Sequence, residues 1–283
     1  MNFESIVKNI ESLPPLSDAI IKIRRLFNED RDDIDVGELV LLIESDALLA
    51  ANILKITNSS LYGFSRKISS IRQAVTLLGM LQINSLIINY AIDENIKANT
   101  GVYRVSNEKF NDMCHIQTSM VSQWYSKINF KDAQFLSSLA LIMESGKLIL
   151  AQEITSSSYE KDFQVGLVKC DNIEKYEDSL IGTTSYKLTA LLFEHWNLDP
   201  LYSQILESLD KTENIDKDIE TYVKVINIIK TAVNVKELLT KQSVLKAVKL
   251  LKEMDLEVEP FIEVAIKIKK SYVDKLKERQ ESK

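Results

Sequence analysis

Apolar residues recur along most of the chain at spacings of three and four residues. Such spacing places apolar side chains on one face of an α-helix. One clear example follows Ser17, where the apolar positions are Ala19, Ile20, Ile23, Leu26 and Phe27. The pattern therefore predicts an all-α protein in which amphipathic helices pack around a shared core.

The same pattern, with its polar breaks, gives the bounds of the expected helices. N-terminal caps are expected at Ser17, Asp35, Asp46 and Ser70, because their side-chain oxygens can accept hydrogen bonds from helix N–H groups. A glycine, Gly79, is expected to close the helix over residues 71–78. Further helices are predicted over 3–13, 81–96, 107–127, 131–153, 171–180, 184–196, 200–209, 217–235, 243–254 and after residue 260, with fraying expected over 274–283.

We expect three parts along the chain. An N-terminal helical bundle is predicted for residues 1–100, a second bundle for 101–212 and a C-terminal helical extension for 213–283. The polar, glycine-containing stretch 97–106 is the best candidate for a linker between the first two.

Composition agrees with a helical, globular protein. Of the 283 residues, 45% are hydrophobic and 27% charged, and only 7 Gly and 4 Pro occur, few for a β-sandwich or barrel. The net charge of −6 and pI of about 5.2 give no basic stripe for nucleic acid. We expect a cytoplasmic protein with no membrane partner, because no signal peptide and no apolar run of roughly 18 residues is apparent.

The polar groups suggest little catalytic chemistry. The two cysteines, Cys114 and Cys170, are isolated, and no phosphate-binding loop motif occurs. Only two histidines are present, and His195 falls in the last turn of a helix, where a cation suits the helix dipole. His115 is either a remnant metal ligand or a helix-face histidine satisfied by a neighbouring hydroxyl or carbonyl.

Four segments of the N-terminal part occur in a recognisable order. They are 13–16 (Leu-Pro-Pro-Leu), 39–46, 50–59 and 68–79. Their order and spacing resemble the HDOD domain, a bacterial output domain related to the HD and HD-GYP phosphohydrolases, over roughly residues 13–210. The usual Asp-Pro pair of the family reads Asp46-Ala47 here. The resemblance implies a multi-helical HD-domain-like bundle with an N-terminal helical subdomain, so the second bundle is expected to be HD-like.

The resemblance also implies the positions of a metal site in the related phosphohydrolases. Met143 and Glu144 stand where a His-Asp pair is usual, Ser185 falls near a later histidine, and Ser208 near a closing pair. Of the histidines, only His115 sits at a plausible ligand position. We therefore expect an emptied site with no metal, no cofactor and no enzymatic activity, and an ordinary helix pair between Glu144 and nearby Lys147.

A non-catalytic protein of this type would act by binding, in bacterial regulation such as two-component, cyclic-dinucleotide or motility pathways. The partner is expected to be a protein, and the chain a monomer or weak dimer. The candidate contact surface, which a conventional capped loop would explain equally well, is Asn58, Ser59, Tyr62, Arg66 and Lys67.

Two other functions are open. One is a degenerate but active metal-dependent phosphohydrolase acting on a nucleotide. The other is a small-molecule sensor that uses the vestigial cavity.

Overall fold

Helices account for the secondary structure of the protein. The computed structural model describes residues 3–29, 34–59, 62, 64, 66–211 and 214–281, and within these ranges it contains helices and no β-strand. The only extended pairing in these ranges is an isolated antiparallel bridge between Val233 and Leu238. The all-α prediction is confirmed.

The α-helices are labelled in chain order, and two short 3-10 helices lie between them at Thr100–Tyr103 and Tyr125–Lys127. The bounds are α1 Phe3–Glu11, α2 Asp18–Glu29, α3 Val36–Glu44, α4 Ala47–Thr57, α5 Ile71–Leu78, α6 Met80–Asn95, α7 Asn107–Trp124, α8 Phe130–Ile142, α9 Ser145–Thr155, α10 Glu160–Lys169, α11 Ile173–Ile181, α12 Ser185–His195, α13 Pro200–Ser208, α14 Lys217–Ala232, α15 Lys241–Glu253 and α16 Val258–Glu281.

The expected helix caps are present where side-chain chemistry predicts them. The Asp35 carboxylate accepts from the N–H of Gly37, and Asp46 accepts from the second and third residues of α4. The Ser70 hydroxyl accepts from the N–H of Gln73 at the start of α5. Gly79 ends α5 with φ of +80°, a value that residues with a Cβ atom rarely adopt.

Three of the helix predictions were wrong. Helix α10 was missed, because only Phe163 and Leu167 of its residues are buried and it has no long apolar face. The single helix expected over 131–153 is two helices, α8 and α9, separated by a turn at Met143 and Glu144. The C-terminal helix starts before Pro260, which the first turn of a helix tolerates, and extends to Glu281; residues 282–283 of the tail expected to fray lie outside the described residues.

Contact density groups the chain into two compact units made of discontinuous segments. Unit 1 comprises residues 1–16, 91–112 and 142–225, and unit 2 comprises residues 17–90, 113–141 and 226–283. The stretch 97–106 lies within unit 1, where Val102 and Tyr103 are buried. Because this grouping follows compactness rather than sequence order, the three-part division of the chain stays a prediction.

Unit 1 is built on two helices that approach each other closely. Gly146 of α9 faces the backbone of α12, and a Cβ atom at this position would lie only 1.8 Å from the Ser185 carbonyl oxygen. The N–H of Gly146 donates to Thr189 Oγ1 at 2.8 Å, and Thr189 donates to the Met143 carbonyl at 2.9 Å. Glycine is therefore required here for helix packing.

Unit 2 has a separate apolar core that includes α2 to α5. Leu39, Ile43, Leu49 and Ile53 contribute side chains that are fully shielded from solvent. Further along the chain, the Trp124 ring meets Phe261 edge to face at 5.0 Å between centroids. Such ring geometry stabilises a core beyond the burial of apolar area alone.

One segment has the length and composition of a membrane span. Phe130–Thr155 reaches a mean hydropathy of 1.3 over 18 residues, so the expectation that no apolar run approaches that length was wrong. This window is 94% buried inside the protein. The apolar character is therefore explained by packing in the core.

Replacing Gly146 with alanine should strongly destabilise the protein. The new Cβ would meet backbone atoms of α12 that cannot move independently, so we expect a loss of at least about 3 kcal/mol in the free energy of unfolding, measured by urea denaturation. The matched control is Gly37→Ala, because its nearest neighbour is the movable Asp35 side chain. This control should change stability by less than about 1 kcal/mol, and equal effects of the two variants would contradict the packing role of Gly146.

Candidate functional site

The structure divides the predicted site residues between the two units. Unit 1 holds four of the five predicted former ligand positions, namely Met143, Glu144, Ser185 and Ser208. Unit 2 holds the fifth, His115, together with the whole candidate contact surface: Asn58, Ser59, Tyr62, Arg66 and Lys67.

A buried lysine lies at the centre of the unit 1 positions. The Lys147 ammonium is 2.7 Å from Glu144 Oε2 and donates to Ser185 Oγ at 2.9 Å. It also lies over the Tyr186 ring, 4.7 Å from the centroid. The side chains of Lys147 and Glu144 are 2% and 1% exposed. Glu144 and Ser185, two of the predicted former ligand positions, thus contact the internal cation Lys147.

A second carboxylate extends this buried cluster. Glu177 Oε1 accepts from the Tyr103 hydroxyl at 2.9 Å, and Glu177 Oε2 accepts from the backbone N–H of Ser185 at 2.8 Å. Tyr186 donates to Glu144 Oε1 at 3.1 Å. The cluster therefore combines one ammonium, two carboxylates and two phenols with almost no solvent contact.

Burial sets the titration behaviour of the cluster. It raises the pKa of the Glu177 carboxyl, an effect that the nearby Lys147 partly opposes. Burial likewise raises the pKa values of Tyr103 and Tyr186, and the neighbouring glutamates raise them further. For Lys147, burial lowers the pKa, but Glu144 and Glu177 outweigh this and the pKa is raised. The lysine is therefore held as a cation.

Sequence reasoning found the Glu144–Lys147 pair but missed its burial and its partners. The pair has the expected three-residue spacing. Its environment could have been inferred from the apolar run over residues 139–150, which predicts a helix buried on all sides. Glu177 and Tyr103 gave no comparable signal, because they come from separate segments brought together only by the fold.

The other two unit 1 positions have ordinary structural surroundings. Met143 is fully buried and fills the core at the turn between α8 and α9. Ser208 is the buried last residue of α13. Within the described ranges, no group of three or more His, Cys, Asp or Glu side chains is arranged to hold a metal ion.

His115 packs against an aromatic side chain in unit 2. Its ring meets the Tyr62 ring at 5.9 Å between centroids with an interplanar angle of 70°. Burial raises the pKa of the Tyr62 hydroxyl, and Gln82 opposes that rise to a smaller extent. Tyr62 also stacks near Phe64, with centroids 6.3 Å apart.

Asn58 forms hydrogen bonds across the base of the loop that carries the candidate contact surface. Its amide donates to the Ile68 carbonyl at 2.8 Å and accepts from the Ile68 N–H at 2.7 Å. These paired bonds close the segment between residues 58 and 68. Arg66 and Lys67 remain exposed, whereas Ser59 and Tyr62 are partly buried.

One domain family accounts for most of the chain. The HDOD domain model matches residues 13–211, more than half of the 283-residue chain. The chain belongs to the HDOD domain family. The resemblance found in the four N-terminal segments is thereby confirmed.

Solved structures share the HDOD fold at low sequence identity. An HDOD domain protein of unknown function from Geobacter sulfurreducens is 16% identical, with a TM-score of 0.64 and 96% of both chains covered. A virulence factor from Campylobacter jejuni subsp. jejuni is 24% identical, with a TM-score of 0.57, covering 92% of this chain and 95% of that chain. These similarities show the HD-like all-helical fold.

Two longer proteins are also similar. A protein from Marinobacter aquaeolei VT8, described as a candidate signal transduction protein, is 17% identical with a TM-score of 0.68, covering 96% of this chain and 64% of that chain. An uncharacterized protein of Treponema pallidum (strain Nichols) is 28% identical over 83 residues, which is 29% of this chain and 16% of the relative. The HDOD chain thus matches a small part of that curated relative.

Replacing Lys147 with methionine should destabilise this HDOD protein by about 3–5 kcal/mol, because Glu144 would keep a buried charge without its cation. The double variant Glu144→Gln with Lys147→Met should recover part of that loss, as measured by urea denaturation. The control is Lys224→Met, which breaks the partly exposed Lys224–Glu220 pair and should cost less than about 1 kcal/mol. A double variant no more stable than Lys147→Met would contradict the pairing.

Glu177 should give stability a defined pH dependence. Because the folded-state pKa of this acid is raised above 4.5, its stabilising contribution is present below that pH and declines as pH rises through the folded pKa. The stability of Glu177→Gln relative to the wild type should therefore increase as the pH rises above about 4.5. The exposed control Asp178→Asn on α11 should shift stability by less than about 0.5 kcal/mol. The opposite slope for Glu177→Gln would refute this assignment.

Proposed function

We propose that this HDOD protein is a non-catalytic signalling protein that acts by binding another protein. Its proposed setting is the bacterial cytoplasm, in regulation of the two-component, cyclic-dinucleotide or motility type. Membership of the HDOD family supports this proposal, as does the fold shared with the Marinobacter protein described as a candidate signal transduction protein.

The main support is that Glu144 and Ser185 both take part in an internal contact. Both contact the Lys147 ammonium, at 2.7 and 2.9 Å. A carboxylate that neutralises a buried ammonium is already charge-compensated, so binding a divalent metal would require breaking this pair and placing a second cation beside the first. The arrangement favours a structural role for these two positions.

The surface proposed for the partner is the loop closed by Asn58. Two hydrogen bonds between the Asn58 side chain and the Ile68 backbone join its two ends. Exposed Arg66 and Lys67 supply two adjacent cations on a chain whose net charge is −6. These charges favour an acidic face on the partner protein, which they would attract and orient.

Site-specific photo-crosslinking in the native cell tests this surface. With a benzophenone amino acid at Lys67, we expect one discrete protein adduct that is lost when Arg66→Glu is added. The matched control carries the same probe at Lys249, an exposed lysine of α15, and should give no such adduct. The proposed surface is wrong if the two positions give the same adducts or if neither gives any.

A hydrolysis assay tests the non-catalytic part of the proposal. The purified chain with added Mn²⁺ should not turn over cyclic dinucleotides or mononucleotides above the rate of a heat-inactivated sample. Stoichiometric tightly bound metal, with turnover abolished by His115→Ala, would instead establish the degenerate phosphohydrolase. That outcome would refute the non-catalytic proposal irrespective of the crosslinking result.

A further inference from the structure

Unit 2 contains an open cleft beside the loop proposed for the partner, and Tyr62 and Phe64 of that loop line it. Its volume is about 380 Å³, near the small end of the roughly 300–1,000 Å³ typical of ligand pockets. None of the predicted former ligand positions lines it. The lining residues come from the loop after α4 and from α5, α6, α7, α8 and α16: Tyr62, Phe64, Leu77, Leu78, Gln82, Thr118, Ser119, Ser122, Gln123, Ser137, Lys267, Ile268 and Ser271.

The charge of this cleft differs from that of the whole chain. Among the described lining residues, Lys267 is the one charged side chain and no carboxylate is present, although the chain carries a net charge of −6. The Lys267 ammonium donates to Gln123 Oε1 at 3.0 Å, an exposed contact that leaves its other two N–H groups available to an anion. The cleft is therefore suited to a ligand with an anionic group.

A buried amide lines the same cleft. Gln82 is only 7% exposed, and its amide lies near the Tyr62 hydroxyl, toward which it acts as a donor, although no hydrogen bond of ordinary length and angle joins the two groups. A buried donor with so weak a contact gains from a better-placed acceptor. Because Gln82 lines the cleft, an acceptor atom of a bound ligand would satisfy it.

The remaining lining groups indicate the shape of the ligand. Tyr62 and Phe64 lie nearly parallel, with an interplanar angle of 10°, and form an aromatic wall for a planar ring. The Gln82 and Gln123 amides can recognise polar edges of a heteroaromatic ring, while Ser122 and Ser271 offer hydroxyl groups to a sugar.

We infer that this cleft binds a nucleoside monophosphate, with the base against Tyr62 and Phe64 and the phosphate at Lys267. The four kinds of lining group match the four parts of such a ligand: an aromatic wall for the base face, amides for the base edge, hydroxyls for the ribose and an ammonium for the phosphate. The small volume favours one nucleotide over two.

Calorimetric titration of the full chain with AMP, GMP, CMP and UMP tests the inference. At least one should bind with a Kd below about 1 mM, and the corresponding nucleoside and inorganic phosphate should each bind at least roughly tenfold more weakly. Binding of no monophosphate would overturn the inference. So would phosphate binding as tightly as the nucleotide, or a cyclic dinucleotide binding more tightly than every monophosphate.

Two cleft variants and one control locate the bound nucleotide. Lys267→Met should weaken binding at least roughly tenfold, whereas Lys270→Met, an exposed lysine on the same helix, should leave the Kd unchanged. Gln82→Met should also weaken binding, because it removes an amide that lines the cleft, and should change the melting temperature little, because that amide makes no well-formed hydrogen bond within the protein. Unchanged binding in both cleft variants would overturn the assignment of the site, and this outcome is independent of the crosslinking test.

Discussion

The buried Lys147–Glu144 pair is the constraint on which unit 1 depends. Removing an ammonium and a carboxylate from water is costly, and the cost is offset only when each charge is fully coordinated inside the protein. Here Ser185 and Tyr186 of α12 supply the additional contacts. The pair, formed by Lys147 of α9 and Glu144 just before this helix, can therefore exist only with α12 closely packed against it, and the lack of a Cβ atom at Gly146 permits that approach.

The same constraint accounts for the side chains at the two positions where the resemblance places a His-Asp pair in related phosphohydrolases. The expected histidine and aspartate positions are Met143, which fills the core, and Glu144, which compensates an internal cation. Met143 contributes to packing and Glu144 to charge balance in unit 1. Selection for stability alone would then maintain α9 and α12. The presence of these helices is therefore compatible with a phosphohydrolase and with a non-catalytic binding protein. Only the surfaces of the protein can distinguish these two functions.

The sequence predicted local features well because local chemistry determines them. Caps at Asp35, Asp46 and Ser70 depend on a few neighbouring residues, and all three are present. The family was also recognisable from short segments in a fixed order. The buried contacts of Lys147 could not be recognised from the sequence, because Glu177 lies far along the chain and no periodic pattern links the two residues. The cleft of unit 2 was missed for the same reason, since five helices and a loop contribute its walls.

The loop closed by Asn58 is part of both the proposed partner surface and the cleft of unit 2. It carries the exposed cations Arg66 and Lys67 and also the cleft residues Tyr62 and Phe64. A ligand that packed against those rings would restrict the same short segment that presents the cations. Because the cleft and the proposed partner surface share this segment, a substitution within it can alter both of them. Lys267 of α16 belongs to the cleft alone, so a change there separates ligand binding from partner binding.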